Sequence, residues 1–349
     1  MKFSYFATHM KSLYLLIASI FLISCSTDLN VLADYKETAI VHGLLSQSDT
    51  AQYIKINKAF IGPGNALEIA QVYDSVNYQN QLTVKLEQWK NGGKVSTITL
   101  TKDSSIAKPA GIFSSPKQML YKTKATLDET SKYNLVITNN ATHNVITGST
   151  LLVNDFLVTK PFSTSLNFVS TTNKFKIEWT SSLNGKVYGV TLRFYYLEED
   201  RSTGVVTKKF IDWIFGNQTT LSTKGGESMF IDFFGETFYQ YLQNRLPVNN
   251  NVKRYVPNTG AYVHVDLIFT VGAEDLSTYI AVSAPSTGII QERPQYTNLN
   301  NGFGLFSSRY TKIKTGYQLT SASVVELYSG QFTKNLFCDP IPGGPNSCN

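Results

Sequence analysis

The chain has 349 residues and a formal net charge of +6, and charged residues make up only 16% of it, well under the quarter usual for soluble domains. No run of five or six basic residues occurs, which excludes the electrostatic footprint of a nucleic-acid binder. Twenty tyrosines, 21 phenylalanines and abundant Val, Ile and Thr favour pleated, half-buried surfaces.

Residues Leu13 to Ser24 are apolar or small. A dozen such residues is too short for a membrane span, which needs about 20. It fits the apolar core of a signal peptide, with Lys2 and Lys11 as the positive flank. Met10 opens a complete signal by itself, so Met1 and Met10 both stand as starts. The junction Leu22-Ile23-Ser24-Cys25 resembles a bacterial lipobox. The resemblance implies cleavage after Ser24, diacylglycerol on the Cys25 sulfur, and a chain tethered to a membrane through that lipid. Residues 1–24 then form a lipoprotein signal peptide and 25–34 a lipidated tether. No second apolar stretch reaches spanning length, and the remainder is long enough for two domains.

"ETAIVHGLL" (Glu37–Leu45) and "AQYIKINKAF" (Ala51–Phe60) read as strands joined by "SQSDT". "NALEIAQVYDS" (Asn65–Ser75) is either a short helix capped by Asn65 or a crossing between sheets. In "QLTVKLEQW" (Gln81–Trp89), Leu82, Val84 and Leu86 alternate with Thr83, Lys85 and Glu87. "KNGGK" turns the chain and "VSTITLT" returns it as a hairpin. Leu127 precedes Tyr133 by six residues in "LDETSKYNLVI", the pattern of a tyrosine corner whose phenol bonds to nearby backbone. "VITGSTLLV" (Val145–Val153) is the last strand of a first domain, 35–155. Pro161 and weak periodicity mark residues 156–167 as a linker.

The second domain, 168–338, opens with "FKIEWTS", where Phe175, Ile177 and Trp179 share a face. "VYGVTLRFYYLEE" follows, and the Trp-strand then Tyr-strand pairing resembles fibronectin type III domains. "KKFIDWIFG" (Lys208–Gly216) is a third strand. Phe238, Leu242 and Leu246 recur at helical spacing, so a helix is predicted near 235–247, ended by Pro247. "AYVHVDLIFTVG" (Ala261–Gly272) and "TYIAVSA" (Thr278–Ala284) return to strands. An Asn- and Gly-rich stretch, Arg293–Thr311, follows. The expected fold is all-β: two tandem immunoglobulin- or fibronectin III-like sandwiches with one short helix inserted in the second. Cys338 and Cys348 bracket "DPIPGGPNS" and are expected to pair, closing a tail over 339–349, as an envelope location permits. A metal site is the rival, but no histidine lies nearby.

Catalytic chemistry is sparse. No G-x-S-x-G motif occurs, and "STKGGES" lacks phosphate-loop spacing. Glu198, Glu199 and Asp200 end a strand and read as a solvated turn, while Glu87 and Glu178 are isolated. His42 sits in a strand and His143 in a turn. His264 and Asp266 form a His-x-Asp pair, a weak candidate for two metal ligands. Its rival is the polar face of a strand whose other face is Val263, Val265 and Leu267. Phe303, Phe306 and Tyr310 sit among glycines as a candidate contact loop for a partner or as packing under a long loop. No cofactor is expected.

Four stretches together, the lipobox, "ETAIVHGLLSQSDTAQYIKINKAF", "WTSSLNGKVYGVTLRFYYLEE" and "YTNLNNGFGLFSSRY", resemble a family of Bacteroidota outer-membrane lipoproteins of unknown function. The resemblance implies β-sandwich domains, genes beside TonB-dependent receptors, and a non-enzymatic accessory role with an outer-membrane transporter as partner and a glycan or peptide as ligand. A surface adhesin or structural envelope lipoprotein is the second expectation, and a metal-dependent enzyme through His264 and Asp266 the third. Surface export in that phylum resembles an acidic signal after the lipidated cysteine. Ser26-Thr27-Asp28 carries one acid, which leaves the periplasmic and extracellular faces both open.

Overall fold

Period-two apolar patterning makes strands the predominant regular structure among the described residues. The structure is a computed structural model and describes residues 38–59, 65–170, 172–257, 262–284, 295–344 and 346–348. Cys25, the signal peptide and the tether lie outside the described residues. The first half carries β1 (Ala39–Leu45), β2 (Gln52–Lys58), helices α1 (Ala66–Gln71) and α2 (Tyr73–Val76), β3 (Leu82–Lys90), β4 (Gly93–Thr99), β5 (Thr101–Asp103), β6 (Leu120–Thr123), β7 (Lys132–Asn139) and β8 (Val145–Leu151). The second carries β9 (Val158–Lys160), β10 (Ser165–Leu166), β11 (Phe175–Thr180), β12 (Val187–Asp200), β13 (Val206–Ile214), β14 (Gln218–Thr219) and β15 (Ser228–Phe233). It continues with α3 (Gly235–Arg245), β16 (Val252–Tyr255), β17 (Val265–Gly272), α4 (Glu274–Ser283), β18 (Leu299–Asn300), β19 (Phe303–Leu319) and α5 (Ser321–Ser329).

The fold is mostly β, as expected. One 11-stranded sheet follows the path β13-β12-β17-β19-β1-β2-β6-β5, with β10 on β19 and β14 and β16 on β12. A five-stranded sheet, β18-β8-β7-β3-β4, shares a core with β1, β2 and β6. A three-stranded sheet, β15-β11-β9, faces β12, β17 and β19 across a second core, which α3 and α5 complete. Trp179 and Phe269 sit fully buried there, 5.4 Å apart.

The two cores meet on one strand. Residues 303–308 of β19 pair in parallel with β1, from Ile40↔Phe303 to Leu45↔Ser308. The rest pairs antiparallel with β17, from Gly272↔Arg309 to Val265↔Tyr317. The junction needs Gly304: its φ is +110°, and a Cβ there would stand 2.1 Å from the Val41 carbonyl oxygen. Leu299 and Phe306, expected in the second domain, therefore fill the first core. The expected linker 156–167 carries β9 and β10 and buries Phe156 and Leu166 in the second core. Strands of three and two residues are too short to show a period.

Several local expectations are met. β3 and β4 form the hairpin. Tyr133 is fully buried and its hydroxyl accepts the Asp128 N–H at 2.7 Å. Tyr188 repeats the device, accepting the Ser182 N–H at 2.6 Å. Asn65 caps α1 through the Leu67 N–H, so the helical alternative holds there, and α3 buries Phe238 and Leu242.

Others are corrected. The second half has three helices among the described residues, not one. "TYIAVSA" lies in α4, because a short apolar run does not separate strand from helix by period and Glu274 and Asp275 favour a helix start. The long Asn- and Gly-rich stretch ends in β19. Among the described residues no helix is long and apolar enough to cross a membrane.

Candidate functional site

His264 and Asp266 do not act together. His264 precedes the first residue of β17, where its N–H donates to the Tyr317 carbonyl at 2.9 Å. His264 is turned inward and is only 2% exposed. The Leu319 N–H donates to its Nδ1 at 2.9 Å, so the proton sits on Nε2, which donates to the Pro257 carbonyl at 3.1 Å. Both ring nitrogens are spent on backbone, and burial lowers the pKa of the ring. This departs from both readings of the sequence, metal ligand and solvent face. Asp266 instead accepts from the Tyr195 hydroxyl at 2.9 Å. No cluster of three or more His, Cys, Asp or Glu suited to a metal occurs among the described residues.

The expected contact loop is not a loop. Phe303, Phe306 and Tyr310 lie on β19. Phe306 is fully buried in the first core, Tyr310 packs on the second beside Phe156, and Phe303 is half exposed. The strand's alternation and the parallel pairing with β1 pull Phe306 inward. The isolated carboxylates are ion-paired: Glu87 with Lys94, Glu178 with Lys176 and Lys160, Glu198 with Arg254, Glu199 with Lys253. Asp200 accepts from Ser202 and Thr203 in its turn. Cys338 and Cys348 form the disulfide. Asn346 holds the tail, donating to the Tyr328 and Phe337 carbonyls at 3.0 and 2.9 Å.

A different site lies on the outer face of β1 and β2. Alternation sends Val41, Leu45, Ile54 and Ile56 into the core and leaves Ile40, His42, Lys55 and Asn57 outside. In the hairpin register His42 faces Lys55 and Ile40 faces Asn57, so the four make one floor. One wall is α2 and the segment 104–119. Asn57 fixes it by donating to the Val76 carbonyl and the Asn77 side chain, both at 2.9 Å, and the Ser114 N–H ties that segment to the Ala70 carbonyl at 2.9 Å. The other wall is α4 with Phe303, and the Tyr279 and His42 rings stand nearly perpendicular with their centres 6.4 Å apart. Two cavities of about 440 and 590 Å³ share Ile40, His42 and Ala59 as floor, and both volumes suit a small-molecule site.

The groove is cationic and mostly apolar. Lys55, Lys58, Lys108 and Lys117 line it, with Val76, Ala59 and Phe113 between them. No carboxylate lines either cavity among the described residues, and none of these lysines is ion-paired there. Burial and then the charge of Lys108 lower the pKa of Lys55, and burial and then Lys55 lower that of His42. The site therefore holds positive charge that no carboxylate among the described residues neutralises. Among the described residues His42 has no hydrogen-bond partner to orient it as a base, so the arrangement suits holding an anion. The sequence reading missed this groove. Pairing across "SQSDT" brings His42 and Lys55 together, but Lys108 and Lys117 arrive from some 50 residues downstream with no motif to announce them.

No family model matches the chain, and no curated protein matches it. Among solved structures, the chain is similar to the C-terminal globular domain of an oligosaccharyltransferase from Pyrococcus abyssi, at 10% identity and a TM-score of 0.23, covering 67% of this chain and 47% of that one. It is also similar to a chain of a cytokine receptor complex, at 5% identity and a TM-score of 0.22, covering 81% of this chain and 99% of that one. At such scores these likenesses carry no argument about function.

Proposed function

We propose that the chain is a lipid-anchored envelope protein that binds a ligand or partner and serves as an accessory to an outer-membrane transporter. The groove over β1 and β2 carries the binding reading: it is concave, apolar and cationic, and its described residues pair no nucleophile with a base. The anchor rests on Leu22-Ile23-Ser24-Cys25, since several acyl chains give a stable membrane attachment. The transporter partner and the outer-membrane address rest on the resemblance to Bacteroidota lipoproteins. Within the all-β fold, each core is proposed to be a sandwich related to immunoglobulin or fibronectin III domains. Tyr133 and Tyr188, each bonding back to backbone five or six residues upstream, support that kinship.

Two measurements test the reading. Pull-down from detergent-solubilised membranes with mass spectrometry should recover a β-barrel protein. Recovery of none across several detergents refutes the transporter partner and leaves the adhesin or structural reading. Cys25→Ala should leave the membrane fraction, and unchanged partitioning refutes the anchor.

A further inference from the structure

We propose that the groove over β1 and β2 binds a small organic carboxylate with an apolar body. Its carboxylate lies against Lys55 and His42, and its body lies along Ile40, Ala59, Val76 and Phe113. This deepens the binding reading above and depends on it only in treating the groove as a binding site.

Three observations converge. The first is charge. Four lysines and a histidine line the first cavity, and no carboxylate lines it among the described residues. Like charges gathered on apolar walls are unfavourable unless an anion joins them, because the lowered local dielectric strengthens their repulsion. Lys55 already feels Lys108, and His42 feels Lys55. A bound carboxylate reverses both effects.

The second is the kind of cation. The described lining contains no arginine, so no planar fork fixes the anion's orientation, and the apolar walls rather than the cations select what it is attached to. Lysine is a point charge with rotatable donors, which suits one compact carboxylate. The third is preorganisation. The floor is a two-stranded register held on its far side by β19. Asn57 pins the α2 wall, and Lys108 is held by the Phe113 and Ser114 carbonyls at 3.1 and 3.3 Å. Lys55 and His42 are thus left at the centre of a rigid apolar bowl. Apolar walls reward an apolar body by about 25 cal/mol for each Å² removed from water, and a bare inorganic anion forgoes that term.

The probe is octanoate, with 1-octanol as its neutral twin and acetate as its head alone. Each is titrated calorimetrically into the full chain carrying Cys25→Ala, so that no detergent tail competes. Octanoate should bind with a dissociation constant under about 1 mM, a modest demand for ten heavy atoms. Octanol and acetate should each bind at least about tenfold more weakly. Lys55→Met keeps the apolar stem and should weaken octanoate about tenfold while leaving octanol unchanged. Lys209→Met, on exposed β13, should change nothing. If Lys55→Met does not fold, Lys55→Gln, which removes the charge but keeps a polar tip, provides the same comparison.

Octanol binding as tightly as octanoate overturns the charge argument. Acetate binding as tightly as octanoate overturns the apolar one. No binding of octanoate, or full binding by a folded Lys55→Met chain, overturns the proposal. Absent octanoate binding with a barrel still recovered in pull-down removes this inference and keeps the transporter partner. The reverse result removes the transporter and keeps the ligand.

Discussion

Replacing His264 by leucine removes an acceptor and a donor from a sealed site. The Leu319 N–H loses Nδ1 and the Pro257 carbonyl loses Nε2–H, while the ring they surrounded was only 2% exposed. Water does not reach them easily, and an orphaned buried group costs about 1–3 kcal/mol. A carbonyl tolerates the loss better than an N–H, so His264→Leu should cost about 2–4 kcal/mol in total. His264→Asn keeps an acceptor where Nδ1 stood and forfeits only the bond to Pro257, a cost nearer about 1 kcal/mol.

The same geometry sets a pH dependence. Burial lowers the folded pKa of His264 below its ordinary 6.5, so below that pH the unfolded chain binds the proton that the fold refuses. Stability is fully present above about pH 6.5 and falls as the pH drops towards the folded value. For a ring that stays neutral in the fold, the loss between about pH 7.5 and 5.5 is at most about 1.4 kcal/mol. Urea unfolding at these two pH values, on wild type, His264→Leu and His264→Asn, reads all of this. The asparagine variant should lose less stability on acidification than wild type. His42, also depressed, contributes in the same direction in both. A leucine variant as stable as wild type, or equal acid sensitivity in wild type and His264→Asn, refutes the structural role. A midpoint that rises with added zinc in wild type but not in His264→Leu would restore the metal reading.

Tyr133→Phe and Tyr188→Phe each strip an acceptor from a backbone N–H held at 2.7 and 2.6 Å; each should lower stability by about 1–3 kcal/mol in chemical unfolding. Gly304→Ala meets the Val41 carbonyl at 2.1 Å on a backbone of positive φ, so it should part β1 from β19. Hydrogen exchange should then rise along residues 39–45 and 303–308, and unchanged protection there would contradict the junction. Reducing Cys338–Cys348, ten residues apart, should cost about 3 kcal/mol in the chain-entropy account. The change should be confined to the tail and the segment around Cys338. Asn346→Ala, which removes the bonds to the Tyr328 and Phe337 carbonyls, should raise exchange in that tail with the disulfide intact.

What the sequence determined by itself is what neighbours along the chain decide. The β3–β4 hairpin follows from alternation and a Gly-Gly turn, Tyr133 from its distance to Leu127, α3 from a period of about four, and the tail disulfide from two cysteines around a Pro- and Gly-rich loop. Each needs about a dozen residues of context and no distant partner. The motif at Cys25 is legible on the same terms. Only the tertiary structure decided the rest, because each case turns on residues far apart in the chain. β19 joins both cores through a parallel pairing with β1 across more than 250 positions, and no local period announces which strand a segment will meet. His264 is polar in the pattern yet buried, because the Leu319 N–H and the Pro257 carbonyl, distant along the chain or brought back by a turn, satisfy both its ring nitrogens. The basic groove exists because a hairpin face, a helix and a later excursion converge. Lysines that look like ordinary solvated residues one at a time become a site only when folding puts their charges over a common apolar floor.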